Sequence, residues 1–309
     1  MTGKFNAIYK VSDALSIRGT VGNGFHAPSP GQSNVSILTT NFIAGNQVQT
    51  GTYPVNSQIS QYYGAQALKP EKSLNVGLGF VAKPLPGFTL TVDGYWIKVY
   101  NRIGVSKNFS VSAADVTALP LLASVGVGGN ITYFTNGYDT RTDGVDVVGT
   151  YHTHLADGSL NLTLAYNYNS SKVTYNAGVL SSDQVLDISR LTPNHRVVLS
   201  GAWSKGPWAI NARENFYGSW RNDTDYPGQL FGSKFTTDLD VSYSFWDKYT
   251  FTVGAANLFN AKPDRIAASS SNPIYPVTGG TADGQVYPRN GGPFGFNGGF
   301  WYVRFKATY

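Results

Sequence analysis

The chain of 309 residues carries 23 basic and 18 acidic side chains, so its net charge of +5 is modest, and charged residues make up only 13% of it. Aromatic residues reach 14%, cysteine is absent, and no stretch approaches the roughly 18 consecutive apolar residues that a membrane helix needs. This composition excludes a helical membrane protein and any disulfide or thiolate site, and the scattered basic residues argue against a nucleic-acid-binding protein.

Alternation of apolar and polar residues predicts a series of strands, because successive side chains of a strand point to opposite faces. Eleven such segments occur, at residues 4–11, 14–25, 74–80, 88–96, 144–154, 160–168, 196–203, 208–220, 235–245, 249–255 and 298–309. One helix-like segment, residues 112–119, interrupts a long connection and should end at Pro120. The chain is therefore expected to be all-β.

The connections between the predicted strands alternate strictly between short turns and long loops. The short turns lie at residues 12–13, 83–87, 155–158, 205–207 and 247–248, and the long loops at 26–70, about 103–130, 170–194, 221–233 and 260–297. Outer-membrane barrels keep short turns on the periplasmic side and long loops outside, whereas a soluble sandwich has no reason to keep this order. The sequence predicts an antiparallel transmembrane β-barrel.

The last predicted strand shows the alternation most clearly. Trp301, Phe305 and the terminal Tyr309 fall on one face, opposite charged residues such as Arg304, and aromatics at both ends of a strand are typical of anchoring at the two bilayer interfaces. Tyr309 is then expected on the periplasmic side. An odd count of eleven strands would leave Met1 outside the cell, whereas single-chain bacterial barrels have even counts, so we expect a C-terminal portion of a larger barrel.

One acidic residue breaks the pattern of alternation. Glu214 falls on the apolar face of the segment at residues 208–220. A carboxylate on that face predicts either a β-bulge, which would turn the side chain away, or a different register for the strand.

Histidines provide the only candidate for a metal site. His152 and His154 are two residues apart on one predicted strand, so they share a face, but a turn follows at once and no third ligand is within reach in the sequence. We therefore expect histidines at the rim of the barrel and no metal site. No G-x-S-x-G elbow or believable nucleophile–base pair occurs, which predicts no catalytic residues, no cofactor and no enzyme.

Five internal stretches and the terminal aromatic strand together resemble the TonB-dependent outer-membrane receptors. The stretches are GNGFHAPSP (residues 22–30), LKPEKSLNVGLGF (68–80), DTRTDGVDVVGTY (139–151), LTPNHRVVL (191–199) and AANLFNAKP (255–263). His26 stands in the first where the family usually has arginine. Each motif alone is weak, but six in the order that the family keeps, over nearly the whole chain, are specific.

The resemblance implies a barrel of roughly 22 strands whose lumen is filled by an N-terminal plug domain. Residues 1–309 would then be the C-terminal portion of that barrel, and we expect neither the plug nor a signal peptide within them, since MTGKFNAIYK has no apolar core after a basic segment. The implied function is active transport at the bacterial outer membrane, namely uptake of an iron–siderophore or similar nutrient complex energised through TonB. A passive outer-membrane pore and a surface adhesin barrel are the alternatives.

The partners that the resemblance implies follow from this function. The TonB complex would act through the plug, and the ligand would be a small nutrient complex such as a ferric siderophore. Outer-membrane lipid and lipopolysaccharide would surround the barrel, and the barrel-assembly machinery would recognise the C-terminal strand.

Two sets of residues are candidates for this function. Charged residues expected to face the lumen could grip a plug through ion pairs and hydrogen bonds, or simply line a wet lumen: Arg18, Asp93, Asp146, Arg213, Asp238, Asp240, Arg304 and Lys306. Aromatic and basic residues in the long loops could hold a flat iron chelate and its negative charge, or pack the loops and face lipopolysaccharide: Tyr62, Tyr63, Trp220, Arg221, Tyr226, Tyr275, Tyr287 and Arg289.

Overall fold

A large antiparallel sheet forms the body of the chain. The computed structural model describes residues 1–43, 46–246, 248–269, 274, 280–281, 284–289 and 292–308. Side chains are described at all of these residues except 41–43 and 46–47. Eleven strands pair in chain order: β1 (Lys4–Ser12), β2 (Leu15–His26), β3 (Glu71–Ala82), β4 (Phe88–Val105), β5 (Phe134–Leu155), β6 (Gly158–Asn176), β7 (His195–Lys205), β8 (Trp208–Tyr217), β9 (Lys234–Phe245), β10 (Tyr249–Ala256) and β11 (Phe300–Ala307). The predicted all-β fold with eleven antiparallel strands is confirmed.

The connections between these strands keep the predicted alternation of length. Those after β1, β3, β5, β7 and β9 are short turns, and those after β2, β4, β6, β8 and β10 are long loops. Asp247, in the last short turn, and the terminal Tyr309 lie outside the described residues. In the described part of the chain β1 and β11 do not pair with each other, so the sheet is open at both edges.

The pairing register is continuous through the middle of the sheet. Shifts occur in only three of the described strand pairs, at Lys10/Ser12, Val173/Tyr175 and Val99/Ile103. Because the side chains of a strand alternate with a period of two, an unbroken register keeps one set of residues on the same face across all eleven strands. We call these two faces the polar face and the apolar face.

The apolar face is a continuous hydrophobic surface. Large side chains on it stand exposed, among them Leu78, Leu164, Leu199, Phe235 and Phe251. A soluble monomer rarely exposes a contiguous patch of this kind, whereas a strand that crosses a bilayer turns such a face to lipid. The sheet therefore has the surface of a membrane barrel.

Aromatic rings gather on the apolar face beside the short turns. Trp208 lies against Tyr243 with ring centres 4.8 Å apart, and Tyr249 stacks on Phe305 at 5.7 Å. The indole Nε1 of Trp203 donates to the carbonyl oxygen of Leu155 at 2.9 Å. Tyrosine and tryptophan favour the boundary between membrane and water, so such a belt is typical of one rim of a membrane barrel.

The loops after β2 and β4 fold together into a first module, with a hydrophobic core of Ile59, Val111, Leu122, Val125 and Ile131. The same loops contain a four-stranded sheet of short strands, Ile37–Ile43, Asn46–Thr52, Asn130–Thr132 and Phe109–Ser110. They also contain α1 (Pro30–Asn34), α2 (Gln58–Tyr62), α3 (Ala113–Ala118) and a 3-10 helix (Pro120–Ser124). Ser112 caps α3 and the helix ends before Pro120, so the prediction of a helix at 112–119 is confirmed.

The loops after β6, β8 and β10 contribute to a second module. Its core contains Trp220, Tyr226, Phe231 and Ile266. The helix α4 (Ser182–Arg190) packs on this module, because the Asp187 carboxylate accepts hydrogen bonds from the backbone N–H groups of residues 223 and 224 at 2.6 and 3.1 Å. None of the helices in the described ranges is long and apolar enough to cross a bilayer.

The prediction of a bulge or register change at Glu214 is wrong. The ladders on both sides of β8 are regular, and Glu214 lies on the apolar face opposite Leu199 and Thr237. The hydroxyl Oγ1 of Thr237 donates to Glu214 Oε2 at 2.5 Å. This hydrogen bond satisfies one carboxylate oxygen locally, so the strand keeps its register.

A polar carboxyl on this face should cost stability in a bilayer. We expect Glu214→Leu to raise the free energy of unfolding by about 1 kcal/mol, since acidic groups on the lipid face of a barrel are unfavourable. Denaturant unfolding in phospholipid vesicles measures this change. Glu214→Gln, which keeps the bond to Thr237, is the matched control and should fall between the two. A less stable Glu214→Leu protein would contradict the assignment of this face to lipid.

Candidate functional site

The polar face collects the charged residues that the sequence places in a lumen. Arg18 lies opposite Gly79, Gly79 opposite Asp93, and Asp93 opposite Asp146, so these positions form one row across β2 to β5. The pairing continues through β6 to β11 without changing face, which puts the remaining residues on the same side: Arg213, Asp238, Asp240, Arg304 and Lys306. All eight candidates therefore share one face of the sheet.

Arg18 and Asp93 form an ion pair that spans three strands. The Nε of Arg18 donates to Asp93 Oδ1 at 2.8 Å, and its Nη2 contacts Asp93 Oδ2. The guanidinium crosses over β3 at Gly79, where a Cβ would clash with Asp93 Oδ1 and lie 2.6 Å from the carbonyl oxygen of Val92. Only glycine leaves room for this fork-to-fork contact between the charges.

Asp146 stands directly opposite Asp93, and each carboxylate has its own partner. The Nδ2 of Asn167 donates to Asp146 Oδ1 at 2.6 Å, while Asp93 is paired with Arg18. Two like charges directly opposite each other destabilise a ladder. The Asp93 carboxylate is bonded toward β2 through Arg18, and the Asp146 carboxylate toward β6 through Asn167.

A second polar group lies on β8 to β10. The backbone N–H of Asn257 donates to Asp238 Oδ1, and the Nδ2 of Asn211 donates to Asp240 Oδ1, both at 2.9 Å. Arg213 is opposite Asp238 in the ladder, but no ion pair among the described residues joins them. The Arg213 side chain is exposed on the polar face.

Arg304 and Lys306 lie on the edge strand β11. Both side chains are exposed, and the Arg304 guanidinium lies 5.5 Å from the ring centre of Tyr302. The Tyr302 ring lies over Gly254 of the neighbouring strand, where a Cβ would collide with it. The arrangement leaves two cations at the open edge of the sheet.

Sequence reasoning missed the glycines of the polar face. Gly79, Gly144 and Gly254 each lie under a long side chain from an adjacent strand, and Tyr95 crosses Gly144 so that its hydroxyl accepts a hydrogen bond from Asn169 Nδ2 at 2.9 Å. The signal in the sequence is a glycine at a polar-face position of one strand. The paired position on the adjacent strand then carries arginine, aspartate or tyrosine. Such gaps determine which side chains meet.

In the first module, Tyr62 and Tyr63 lie beside a charged cap. The Tyr62 hydroxyl donates to Asp115 Oδ1 at 2.9 Å, and this bond raises the pKa of Tyr62. Hydrogen bonds from the Ser112 side chain and backbone hold the pKa of Asp115 below its usual range. Burial raises the pKa of Tyr63 to about 12, so both phenols are neutral at neutral pH. Tyr62 is the exposed member of the pair.

The second module holds the other described loop candidates. Trp220 and Tyr226 are only 2% and 6% exposed, and both rings lie against Phe231, so they form the core of the module. Arg221 Nη2 contacts Asp223 Oδ1 at 2.6 Å. Tyr287 stacks on another loop ring, Arg289 is exposed, and Tyr275 lies outside the described residues. The predicted ligand set is thus divided between two modules.

Metal-binding groups are sparse in the described ranges. No cluster of three or more histidine, aspartate or glutamate side chains in them is arranged to hold an ion. The polar face carries the ion pair of Arg18 with Asp93 and the amide hydrogen bonds to Asp146 and Asp240.

The chain belongs to the TonB-dependent receptors: residues 1–258 match the family profile described as TonB dependent receptor-like, beta-barrel. Proteins of this family are outer-membrane transporters. A comparison with curated proteins finds no match.

Solved structures with the same fold include siderophore and metal receptors. A mutant of the ferric enterobactin receptor PfeA from Pseudomonas aeruginosa is 16% identical, with a TM-score of 0.63 over 100% of this chain and 40% of its own. The siderophore receptor PirA from Acinetobacter baumannii is 16% identical, with a TM-score of 0.59 over 100% and 41%. The copper transporter OprC is 14% identical, with a TM-score of 0.59 over 99% and 39%. The chain spans about 40% of the length of these proteins.

The crossing at Gly79 gives a direct test of the polar face. We expect Gly79→Ala to lower the free energy of unfolding by about 1–3 kcal/mol, because the added methyl group displaces Asp93 and presses on backbone. Denaturant unfolding of the detergent-folded protein measures the loss. Gly19→Ala is the matched control, since a Cβ there meets nothing closer than 3.9 Å. Equal stability of the two variants would show that Arg18 and Asp93 do not meet over Gly79.

Proposed function

We propose that this chain forms part of the barrel of an outer-membrane receptor that takes up a ferric siderophore or a similar nutrient complex with energy supplied through TonB. The observation that carries the proposal is the eleven-stranded sheet, which aligns over its whole length with the barrels of siderophore receptors. Because the chain spans about 40% of those proteins, the eleven strands would be the C-terminal portion of a barrel of roughly 22 strands.

The alternation of connections supports one orientation of this barrel in the membrane. The short turns and the aromatic belt would lie at the periplasmic surface, with the C-terminal end of β11 beside them. The two modules built from the long loops would then project outside the cell. A ligand from the medium would meet the modules first.

The polar face would line the lumen and contact a plug domain. Arg213, Arg304 and Lys306 are exposed cations, and Asp93 and Asp146 are partly exposed anions, so a plug with complementary charges would find ion-pair partners on this face. TonB would act on that plug, while the barrel wall would stay fixed through contacts such as Arg18 with Asp93.

The extracellular modules would supply the ligand contacts. Tyr62 and Arg289 are exposed and Tyr287 is half-buried, so their rings and guanidinium are available to a flat anionic iron chelate. Trp220 and Tyr226 would act indirectly, because they hold the second module together. Arg221 would contribute through its pair with Asp223.

The apolar face and the edge strand suggest the remaining partners. The hydrophobic side chains of the apolar face would contact membrane lipid and, at the level of the loops, lipopolysaccharide. The aromatic strand β11 would be the segment that the barrel-assembly machinery recognises.

Uptake of iron tests the proposed function. Deletion of the gene for the complete receptor should abolish uptake of at least one member of a panel of radiolabelled ferric catecholate and hydroxamate siderophores. Inactivation of TonB in the parent strain should abolish the same uptake, because the family couples transport to the inner membrane. Uptake that persists without TonB would identify a passive pore instead.

Loop variants of the complete receptor refine this test. Tyr62→Ala and Arg289→Ala should weaken binding of the transported complex by about tenfold each, corresponding to one lost ring or charge-assisted contact of about 1.4 kcal/mol. Leu121→Ala, at an exposed apolar position of the first module, is the matched control and should bind normally. Normal binding by all three variants would remove these residues from the ligand site.

A further inference from the structure

Two histidines stand side by side at the short-turn end of the polar face. His152 and His154 lie on β5 close to its end at Leu155, and both rings are exposed. Because one residue separates them on a strand, both side chains point to the polar face. Their ring centres are 6.0 Å apart, with the planes inclined at 68°.

The residue opposite His152 orients its ring. Asn161 pairs with His152 in the β5–β6 ladder, and its Oδ1 lies 2.6 Å from His152 Nδ1. An amide oxygen only accepts, so Nδ1 is the donor in this contact, and the neutral imidazole then has its lone pair on Nε2. The backbone N–H of His152 also donates to the carbonyl oxygen of Gly87 at 2.8 Å, which ties this end of the strand to the neighbouring turn.

This arrangement has the features of a metal-binding histidine with its supporting shell. A ligating imidazole usually donates its other ring N–H to an oxygen acceptor, which fixes the tautomer and the ring orientation. Asn161 fills that role for His152. His154, opposite Ser159, supplies a second imidazole on the same face.

The separation of the rings allows both to bind one ion. A metal–nitrogen distance of about 2.0–2.1 Å puts the ion about 3.2 Å from a ring centre, so two imidazoles on one ion have centres at most about 6.4 Å apart. The observed 6.0 Å lies inside this limit. The spacing of the two rings therefore fits one ion held between them.

The sequence alone favoured rim histidines without a metal, but because Asn161 orients the His152 ring, we propose that His152 and His154 form a two-histidine site for a divalent transition-metal ion at the short-turn mouth of the polar face. Imidazole ligands favour Cu²⁺, Ni²⁺ and Zn²⁺ over Mg²⁺ or Ca²⁺, and Cu²⁺ binds most tightly in this series. Two protein ligands leave coordination positions open to water or to a side chain from whatever fills the lumen. This site is independent of the ligand that the receptor transports.

Copper binding to the complete receptor in detergent tests the proposal. Titration with Cu²⁺ alone should give one site whose electron paramagnetic resonance spectrum shows coupling to two imidazole nitrogens. His152→Gln and His154→Gln should each weaken Cu²⁺ binding by at least about tenfold, because one imidazole then holds the ion in place of two. His195→Gln is the matched control and should bind normally, since His195 packs between Tyr166 and Tyr168 on the apolar face.

Variants of Asn161 distinguish a metal site with an oriented ligand from two unconnected histidines at the rim. Asn161→Leu should weaken Cu²⁺ binding by about tenfold, whereas Asn161→Asp, which keeps an oxygen acceptor at Nδ1, should preserve or tighten it. The heat-dependent gel shift of each variant reports that the barrel is folded. Cu²⁺ affinity that stays at the level of the unmodified receptor in both His152→Gln and His154→Gln, with no effect of the changes at residue 161, would show independent binding to single imidazoles and overturn the proposal.

Discussion

The pairing register of the eleven strands is the constraint on which the rest of the structure depends. A slip of one residue would move every side chain of a strand to the other face, so Arg18, Asp93 and Asp146 would enter the lipid and their apolar neighbours the lumen. Glu214 shows the strength of this constraint. The strand keeps a carboxylate on the apolar face, stabilised by Thr237, because turning it inward would require a shift against both neighbouring strands.

This constraint inverts the usual location of the hydrophobic core. The buried side chains gather in the two loop modules, around Leu122 and Phe231, while the sheet turns its apolar residues outward. On the opposite face, glycines create gaps that longer polar chains cross. The ion pair of Arg18 with Asp93 over Gly79 and the reach of Tyr95 over Gly144 join strands that are not neighbours in the ladder. These contacts tie the strands of the polar face together across the gaps.

The sequence predicted the eleven strands of the main sheet because their period is local, but it ended β4 and β6 too early and missed the short strands of the first module. Alternation in β1 to β11, the order of turns and loops, and the helix ended by Pro120 all depend on residues close together in the chain. The same alternation predicted eight charged residues on one face of the sheet, and the ladders place them on one face. It could not foresee the hydrogen bond from Thr237 that lets Glu214 stay in place, because register between strands brings the two together over a separation of 23 residues.

The burial of the loop side chains was harder to predict from the sequence, for a related reason. Aromatic loop residues look alike in sequence, but Trp220 and Tyr226 are buried by contacts with Phe231, whereas Tyr62 remains exposed. Burial here depends on how separate loops pack together, as the link from α4 to the second module illustrates. Likewise, the support that Asn161 gives to His152 comes from strand pairing and not from a motif.

The central claim is that the apolar face contacts lipid and the polar face lines an aqueous lumen. These 309 residues contain no cysteine, so once any cysteine elsewhere in the complete receptor is replaced by serine, single nitroxide labels can be introduced at Leu239→Cys, Asp240→Cys, Val241→Cys and Ser242→Cys along β9. Power-saturation electron paramagnetic resonance of the complete receptor in lipid vesicles should show collisions with oxygen at 239 and 241 and with a water-soluble nickel chelate at 240 and 242. Loss of this two-residue alternation, or its reversal, would contradict the account.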